Sequence, residues 1–359
     1  MRRARALLGA LTLALAGTAA SCAPPAAPPE PAARPRTPRA PATAARAATP
    51  APSAPSASGA PSASGPSSAS AEPAPASPRF PPAAVTPPNE RTAAPGDGAW
   101  SELAPGLAKT LVHPHAFKKH VVVTVVAMEL ARLEVHLAAG TLEPEAKGVP
   151  AERRTGLVPA DQRARLVAVF NGGFKERHGG FGMRLGDDDF TPPKPAACTV
   201  VLTKDSRVAI GTWERVAERA RESAGWRQTP PCLIEDGAPH PDLKSEYKSR
   251  KWGMSAEGKT DIRRSALAVD ESGGVLYFAL GEWLTAPELA RGLLALGVRD
   301  AAELDVNYSY TRFLTYPADG GAPVGLVKDV KHARGEYTDR PSARDFFYVL
   351  TAERSPRGR

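Results

Sequence analysis

The residues best placed to do chemistry sit at the ends of apolar runs or beside glycines. Asn171-Gly172-Gly173 follows Leu166, Val167, Ala168, Val169 and Phe170, a continuous apolar run of the kind that forms a buried strand. Two glycines at its mouth permit positive φ and a close approach by another group. Successive backbone N–H groups form concavities that bind anions, so Asn171 with the Gly172 and Gly173 amides could hold a hydroxyl or phosphate oxygen. An ordinary strand-to-loop turn has the same composition. Asp305 lies between Leu304 and Val306, and a carboxylate desolvated in this way has a perturbed pKa suited to proton transfer or to organising a site. Asn307, two residues on, is expected to face the same hollow. Arg264 could pair bidentately with a phosphate or with Asp305, or serve a structural ion pair. His178, in Glu176-Arg177-His178-Gly179-Gly180, has the chemistry of a proton carrier and also the setting of a surface loop. Asp236, ahead of Gly237, reads as a turn residue or a cleft-lining one. Trp252 and Tyr308 have rings able to stack on a ligand or to pack internally.

Other chemistries lack their patterns. Asp187-Asp188-Asp189 does not have the spacing of an EF-hand loop and reads as an acidic turn. His113, His115 and His120 have no carboxylate or cysteine cluster beside them, so no metal is expected. Nucleotide-binding glycine loops and a Gly-x-Ser-x-Gly elbow are missing, and no cofactor is expected.

The elements that must position these residues are mostly strands. Residues 120–130, 133–137, 166–170 and 181–185 carry strand patterns. Residues 199–203 and 207–212 flank Lys204-Asp205-Ser206 as a hairpin, and residues 265–269 and 275–280 flank Asp270-Glu271-Ser272-Gly273-Gly274 as another. Residues 215–223 suit a short charged helix. The strongest helix signal starts at Thr285, where Thr285 and Glu288 have capping-box spacing and Pro287 sits in the first turn. Leu289, Leu293, Leu294 and Leu296 supply its apolar face, and Gly297 is its stop. The helix leads through residues 303–307 to a strand or loop edge, and residues 346–350 form a last strand. The expected class is α+β: a mixed, strand-dominated sheet domain with few helices, preceded by a disordered tether rich in Pro, Ala and Ser.

Composition divides the 359 residues into four parts. Residues 1–21 have a charged n-region and an apolar h-region too short for a convincing membrane span, the pattern of a secretory signal. Residues 22–95 are almost wholly Ala, Pro, Ser and Arg, with too little apolar side chain to offset ordering entropy. Residues 96–353 form the folded domain and residues 354–359 a basic tail. The formal charge of +8 is carried mainly by the leader, tether and tail, since nine arginines and three glutamates precede Pro95. The domain is close to neutral, and no nucleic-acid partner is expected. Cys198 and Cys232 are an even pair in an exported domain, which suggests a disulfide, with two buried thiols as the alternative.

Two resemblances add to this reading. Ala19-Ala20-Ser21-Cys22 resembles the bacterial lipobox, which implies cleavage before Cys22 and its lipidation. Ala23 lacks the Asp that often marks inner-membrane retention, so the expected address is the outer membrane, with ordinary secretion as the alternative. The ordered succession of Asn171-Gly172-Gly173-Phe174, Leu233-Ile234-Glu235-Asp236-Gly237, Arg264-Ser265-Ala266-Leu267, the strand at residues 276–280, the helix and Leu304-Asp305 resembles the phosphodiester glycosidase family. That family is named for N-acetylglucosamine-1-phosphodiester α-N-acetylglucosaminidase. The resemblance spans residues 120–316. It implies a hydrolase acting on glycan or glycosyl-phosphate material of the envelope or exopolysaccharide, with Asp305 and His178 as catalytic candidates. Asn171, Gly172, Gly173, Arg264, Asn307 and Asp236 are the substrate-binding candidates. One departure stands out: the family carries Leu-Asp-Gly-Gly-Gly-Ser where this chain has Leu304-Asp305-Val306-Asn307-Tyr308-Ser309. Side chains there imply either a pocket reshaped for another ligand or a non-catalytic glycan-binding or structural lipoprotein.

Overall fold

The apolar runs read from the sequence pair as antiparallel strands. In the computed structural model the structure describes residues 79–146 and 148–353, all within the unit Ala71–Arg359. The expected leader, Cys22, most of the tether and the tail lie outside the described residues.

The strands in chain order are β1 (Ser101–Ala104), β2 (Leu107–Val112), β3 (Val123–Glu129), β4 (Leu133–Ala138), β5 (Leu166–Asn171) and β6 (Met183–Leu185). Then come β7 (Asp188–Thr191), β8 (Cys198–Leu202), β9 (Val208–Thr212), β10 (Gly225–Thr229), β11 (Ile234–Glu235) and β12 (Ala238–Pro239). The last six are β13 (Ile262–Asp270), β14 (Val275–Leu284), β15 (Val298–Glu303), β16 (Phe313–Thr315), β17 (Val324–Gly325) and β18 (Phe346–Thr351). Two α-helices are described, α1 (Trp213–Arg221) and α2 (Ala286–Leu294). The strands make three antiparallel sheets, an eight-stranded one ordered β1-β2-β3-β14-β13-β15-β11-β12 and two of five strands, β7-β6-β10-β8-β9 and β17-β16-β5-β18-β4.

Period-two alternation explains the layering. Leu276, Phe278 and Leu280 of β14 face a core shared with Phe170, Phe313 and Phe347 of the β5 sheet and with Val200 and Ile210 of the β8 sheet. Val275, Tyr277 and Ala279 face the opposite side, where Leu289, Ala290 and Leu293 of α2 cover them. The large sheet is thus buried on both faces at its centre, and its central strands read as unbroken apolar runs. Phe170 anchors the shared core, with its centroid 5.1 to 5.7 Å from those of Phe278, Phe313 and Phe347.

The capping box of α2 forms as expected. Thr285 N–H donates to Glu288 Oε2 at 2.7 Å, and Glu288 N–H donates to Thr285 Oγ1 at 3.4 Å. The helix ends at Leu294, and Gly297 closes the following turn at φ +68°. Folded structure begins earlier than the expected boundary at Pro95. Val85 and Thr92 are buried, and Val85 N–H donates to Gly98 O at 2.9 Å. Even within a Pro-rich stretch, one apolar side chain and a turn can be recruited by the neighbouring sheet edge. The acidic run Asp187-Asp188-Asp189 is only partly a turn, because Asp188 opens β7. Cys198 and Cys232 form a disulfide with Cα atoms 4.6 Å apart, tying the start of β8 to the segment before β11.

Candidate functional site

Three strand ends meet where the large sheet abuts the β5 sheet. β5 ends at Asn171, β15 ends at Glu303 just before Leu304-Asp305, and β18 begins at Phe346 just after Arg344-Asp345. Main-chain bonds stitch them together. Asp305 N–H donates to Gly172 O at 3.1 Å, and Gly172 N–H donates to Asp345 O at 3.1 Å. The backbone of Asp305 is fixed again at its carbonyl, which accepts from Ser265 Oγ at 3.1 Å and Thr311 Oγ1 at 3.0 Å.

Asp305 is 2 % exposed and lines a cleft of about 1200 Å³. Its Oδ2 is 2.6 Å from Arg344 Nη1 and accepts from Asn307 Nδ2 at 2.7 Å. Burial pushes its pKa above the usual carboxylate range, while the Arg344 guanidinium pulls it back. Arg344 is held independently: its Nη2 donates to Gly173 O at 3.0 Å and its guanidinium lies 4.1 Å from the Tyr310 ring centroid. The Tyr310 hydroxyl in turn donates to Asp345 O. Asp305, Asn307, Tyr310 and Arg344 therefore form one braced polar group on the cleft wall. Lys175, Arg177, His178, Lys251 and Lys259 add positive or titratable groups to the lining.

The remaining site candidates have different placements. His178 lines the cleft but is exposed, accepting from Arg177 Nε at 3.3 Å, with no contact to Asp305. The Gly172 and Gly173 amides do not present a free concavity. Gly172 N–H is used by Asp345 O, and Gly173 N–H donates to Asp345 Oδ2 at 2.9 Å. The anion in this nest is the chain's own carboxylate, which also accepts from Arg227 Nε at 2.8 Å. The two glycines are required for close approach. A Cβ at position 172 would overlap Asp345, and one at position 173 would come within 2.7 Å of Arg227 Cζ.

Asn171 is wholly buried below the cleft. It donates to Ser265 Oγ at 2.9 Å and accepts from Arg312 N–H at 3.0 Å, so its amide cross-links β5 to β13 and to the segment before β16. Arg264 is 0 % exposed and pairs with Glu303 Oε1 at 2.7 Å, not with Asp305. Its other donors go to the carbonyls of Trp252, Gly253, Thr260 and Leu284 at 2.7 to 2.9 Å. Every arm of the guanidinium is used, which removes it from ligand contact and makes it a clamp on Gly253, which lines the cleft. Trp252 is core, with its indole N–H donating to Pro231 O at 2.7 Å. Asp236 is an exposed turn residue at φ +48°, accepting from Arg215 Nη2 at 2.8 Å and outside the cleft.

Sequence reasoning missed Arg344, Asp345, Tyr310 and Arg227. A signal existed for the first two: a charged pair directly before the apolar run Phe346-Phe347-Tyr348-Val349-Leu350. Arg227 sits in Gly225-Trp226-Arg227-Gln228-Thr229, whose composition gives no strand alternation. No group of three or more His, Cys, Asp or Glu suited to a metal occurs among the described residues.

Comparison with known proteins gives only remote likenesses. No family model matches the chain, and no curated protein matches it. One similar solved structure is the zebrafish N-acetylglucosamine-1-phosphodiester α-N-acetylglucosaminidase catalytic domain, auto-inhibited by its pro-peptide. It has a TM-score of 0.44 and 15% identity, covering 71% of this chain and 86% of that one. A hypothetical protein from Synechocystis has a TM-score of 0.41 and 12% identity, covering 70% and 63%. A protein from Burkholderia pseudomallei K96243 described as exported has a TM-score of 0.33 and 12% identity, covering 64% and 74%.

Proposed function

We propose that the chain is an exported hydrolase of glycosyl phosphodiesters or related envelope glycans, with Asp305 as its proton-transfer group. The observation that carries this reading is a buried carboxylate braced by Arg344 and Asn307 on the wall of a large cleft whose lining mixes basic groups such as Lys175 and Lys259 with acidic ones such as Glu257 and Glu336. The order of motifs that resembles the phosphodiester glycosidase family supports it.

The chemistry follows from the leaving group. A phosphate ester departs as a stable anion, so it calls for charge stabilisation more than for protonation. Arg344 and the lysines of the lining supply positive charge to the departing oxygen. The harder proton to manage belongs to the attacking water. Asp305, a carboxylate on the cleft wall whose pKa is raised by burial, is the group placed to accept it. Arg344 and Asn307 keep the carboxylate aimed and stabilise its charged form. Tyr310, whose hydroxyl is held by Asp345 O, packs its ring against Arg344 and acts through it. His178, on the exposed rim, is a proton carrier or a phosphate contact in this scheme.

The altered stretch favours a second reading, a glycan-binding protein without turnover. Asn307 stands where the family carries glycine, and its amide occupies Asp305 Oδ2. The experiment that separates the two readings incubates the chain with glycosyl phosphodiesters and cell-wall glycans, beside Asp305→Ala, and measures released sugar. Release that disappears in the variant supports the hydrolase. Binding of the same compounds with no release in either protein supports the second reading and ends the first.

A further inference from the structure

The cleft carries a half-exposed tryptophan in a strained backbone conformation. Between Ile262 and Arg264, β13 advances two residues while β14 runs from Leu284 to Gly281, three residues. Glu282 and Trp283 therefore oppose Arg263 alone, a β-bulge, and bulges beside clefts re-aim side chains. Trp283 takes φ +56°, a left-handed conformation that glycine adopts freely and a bulky side chain does not. Its ring gains little internal packing in return, being 50 % exposed.

Beside it stands Tyr308, 45 % exposed, with ring centroids 6.0 Å apart and planes at 60°. Tyr308 is braced from within the protein. The buried Arg263 guanidinium lies 5.1 Å from its ring centroid, Arg263 Nη1 donates to Tyr308 O at 3.1 Å, and Arg263 pairs with Glu282 across the bulge. Trp283 and Tyr308 both line the same cleft as Asp305. The groups around them, Asp261, Asn307 and Ser309, are polar and at least partly exposed.

We propose that Trp283 and Tyr308 form a stacking subsite for a pyranose ring of the bound glycan. A sugar ring offers apolar C–H faces for an aromatic ring and equatorial hydroxyls for the surrounding polar groups. The rings stand inside a cleft among polar groups, not on a broad apolar face, which suits a sugar better than a protein interface or a lipid surface. The subsite rests on the reading that the cleft holds a glycan, yet it requires no catalysis.

The test is binding of two neutral trisaccharides without phosphate, maltotriose and triacetylchitotriose, to the full chain by saturation-transfer NMR and calorimetry. At least one should bind, and Trp283→Gly should weaken it about ten-fold, the scale of one ring's stacking and burial. Glycine suits the left-handed backbone, so this variant should melt no lower than the parent, which separates loss of the ring from loss of the fold. Tyr308→Leu should weaken the same ligand. The subsite is overturned if neither trisaccharide binds the parent chain, or if Trp283→Gly binds as tightly as the parent. It is overturned also if that variant melts markedly lower, which would make the ring a packing element. Absence of turnover with ring-dependent binding would sink the hydrolase reading alone.

Discussion

At the scale of single residues, burial sets the behaviour of the acids. Asp305 and Glu303 are two residues apart, and each is tied to its own arginine, Arg344 and Arg264. Glu303 is fully enclosed, and burial pushes its pKa up to about 7 despite Arg264. A group raised in the folded state adds stability below its unfolded pKa and loses that contribution as pH rises through the folded value. The melting temperature is therefore expected to fall between about pH 4.5 and 7, and Glu303→Gln should flatten that limb. A calorimetric pH series checks this, and an unchanged slope in the variant would refute it. For Asp305 the same cause predicts that kcat/KM falls on the acid side with an apparent pKa above the ordinary carboxylate range. Arg344→Lys keeps the charge but cannot reproduce the planar contacts to Gly173 and Tyr310, so kcat should fall by at least ~10-fold with KM less affected.

At the scale of elements, the site depends on how tightly three strand ends are drawn together. Gly172 lets Asp345 sit against the turn, and Arg227 binds that carboxylate from the β10 side. Gly172→Ala should cost about 1–3 kcal/mol or more in urea unfolding, because neither backbone nor buried carboxylate has room to move. Arg227→Met leaves an unpaired buried acid and should cost about 3–5 kcal/mol. Wild-type stability in either variant would contradict the role of that residue in holding the strand ends together. The elements legible in the sequence were those whose chemistry is local. The run ending at Phe170, the hairpin around Gly273 and the capped helix after Thr285 are set by neighbours a few residues away. The clamps were hidden because they break local rules. Arg227, Arg264 and Arg344 are buried cations whose carboxylate partners, Asp345, Glu303 and Asp305, are 118, 39 and 39 residues away, and although a structural ion pair is one reading of Arg264, nothing in these segments announces which acid each one meets. Asp305 was legible as a desolvated acid, whereas its partner Arg344 was not. Arg264 carries the same charge, and only the fold, by engaging all of its donors elsewhere, excludes it from that pairing.

At the scale of the whole molecule, the disulfide is the observed feature that bears on location, beside the expected leader and Cys22 anchor. Cys198 and Cys232 are 34 residues apart, and closing that loop stabilises the domain by about 4 kcal/mol on the chain-entropy model. Reduction should lower the urea midpoint correspondingly, and an unchanged midpoint would remove the bridge from the stability argument. Among the described residues no helix is long and apolar enough to cross a membrane. Separately, the lipobox resemblance makes acyl chains on Cys22 the expected anchor. Labelling of cells with radioactive palmitate should mark the chain and fail to mark Cys22→Ser; equal labelling would exclude that anchor. In the proposed hydrolysis of a sugar–phosphate linkage, Asp305 transfers the proton. The most direct measurement is kcat for release of sugar from the methyl phosphodiester of N-acetylglucosamine, compared between the parent chain and Asp305→Asn at matched folding. The expected loss is about 10²–10⁴-fold. Turnover by the variant within a few-fold of the parent would contradict it.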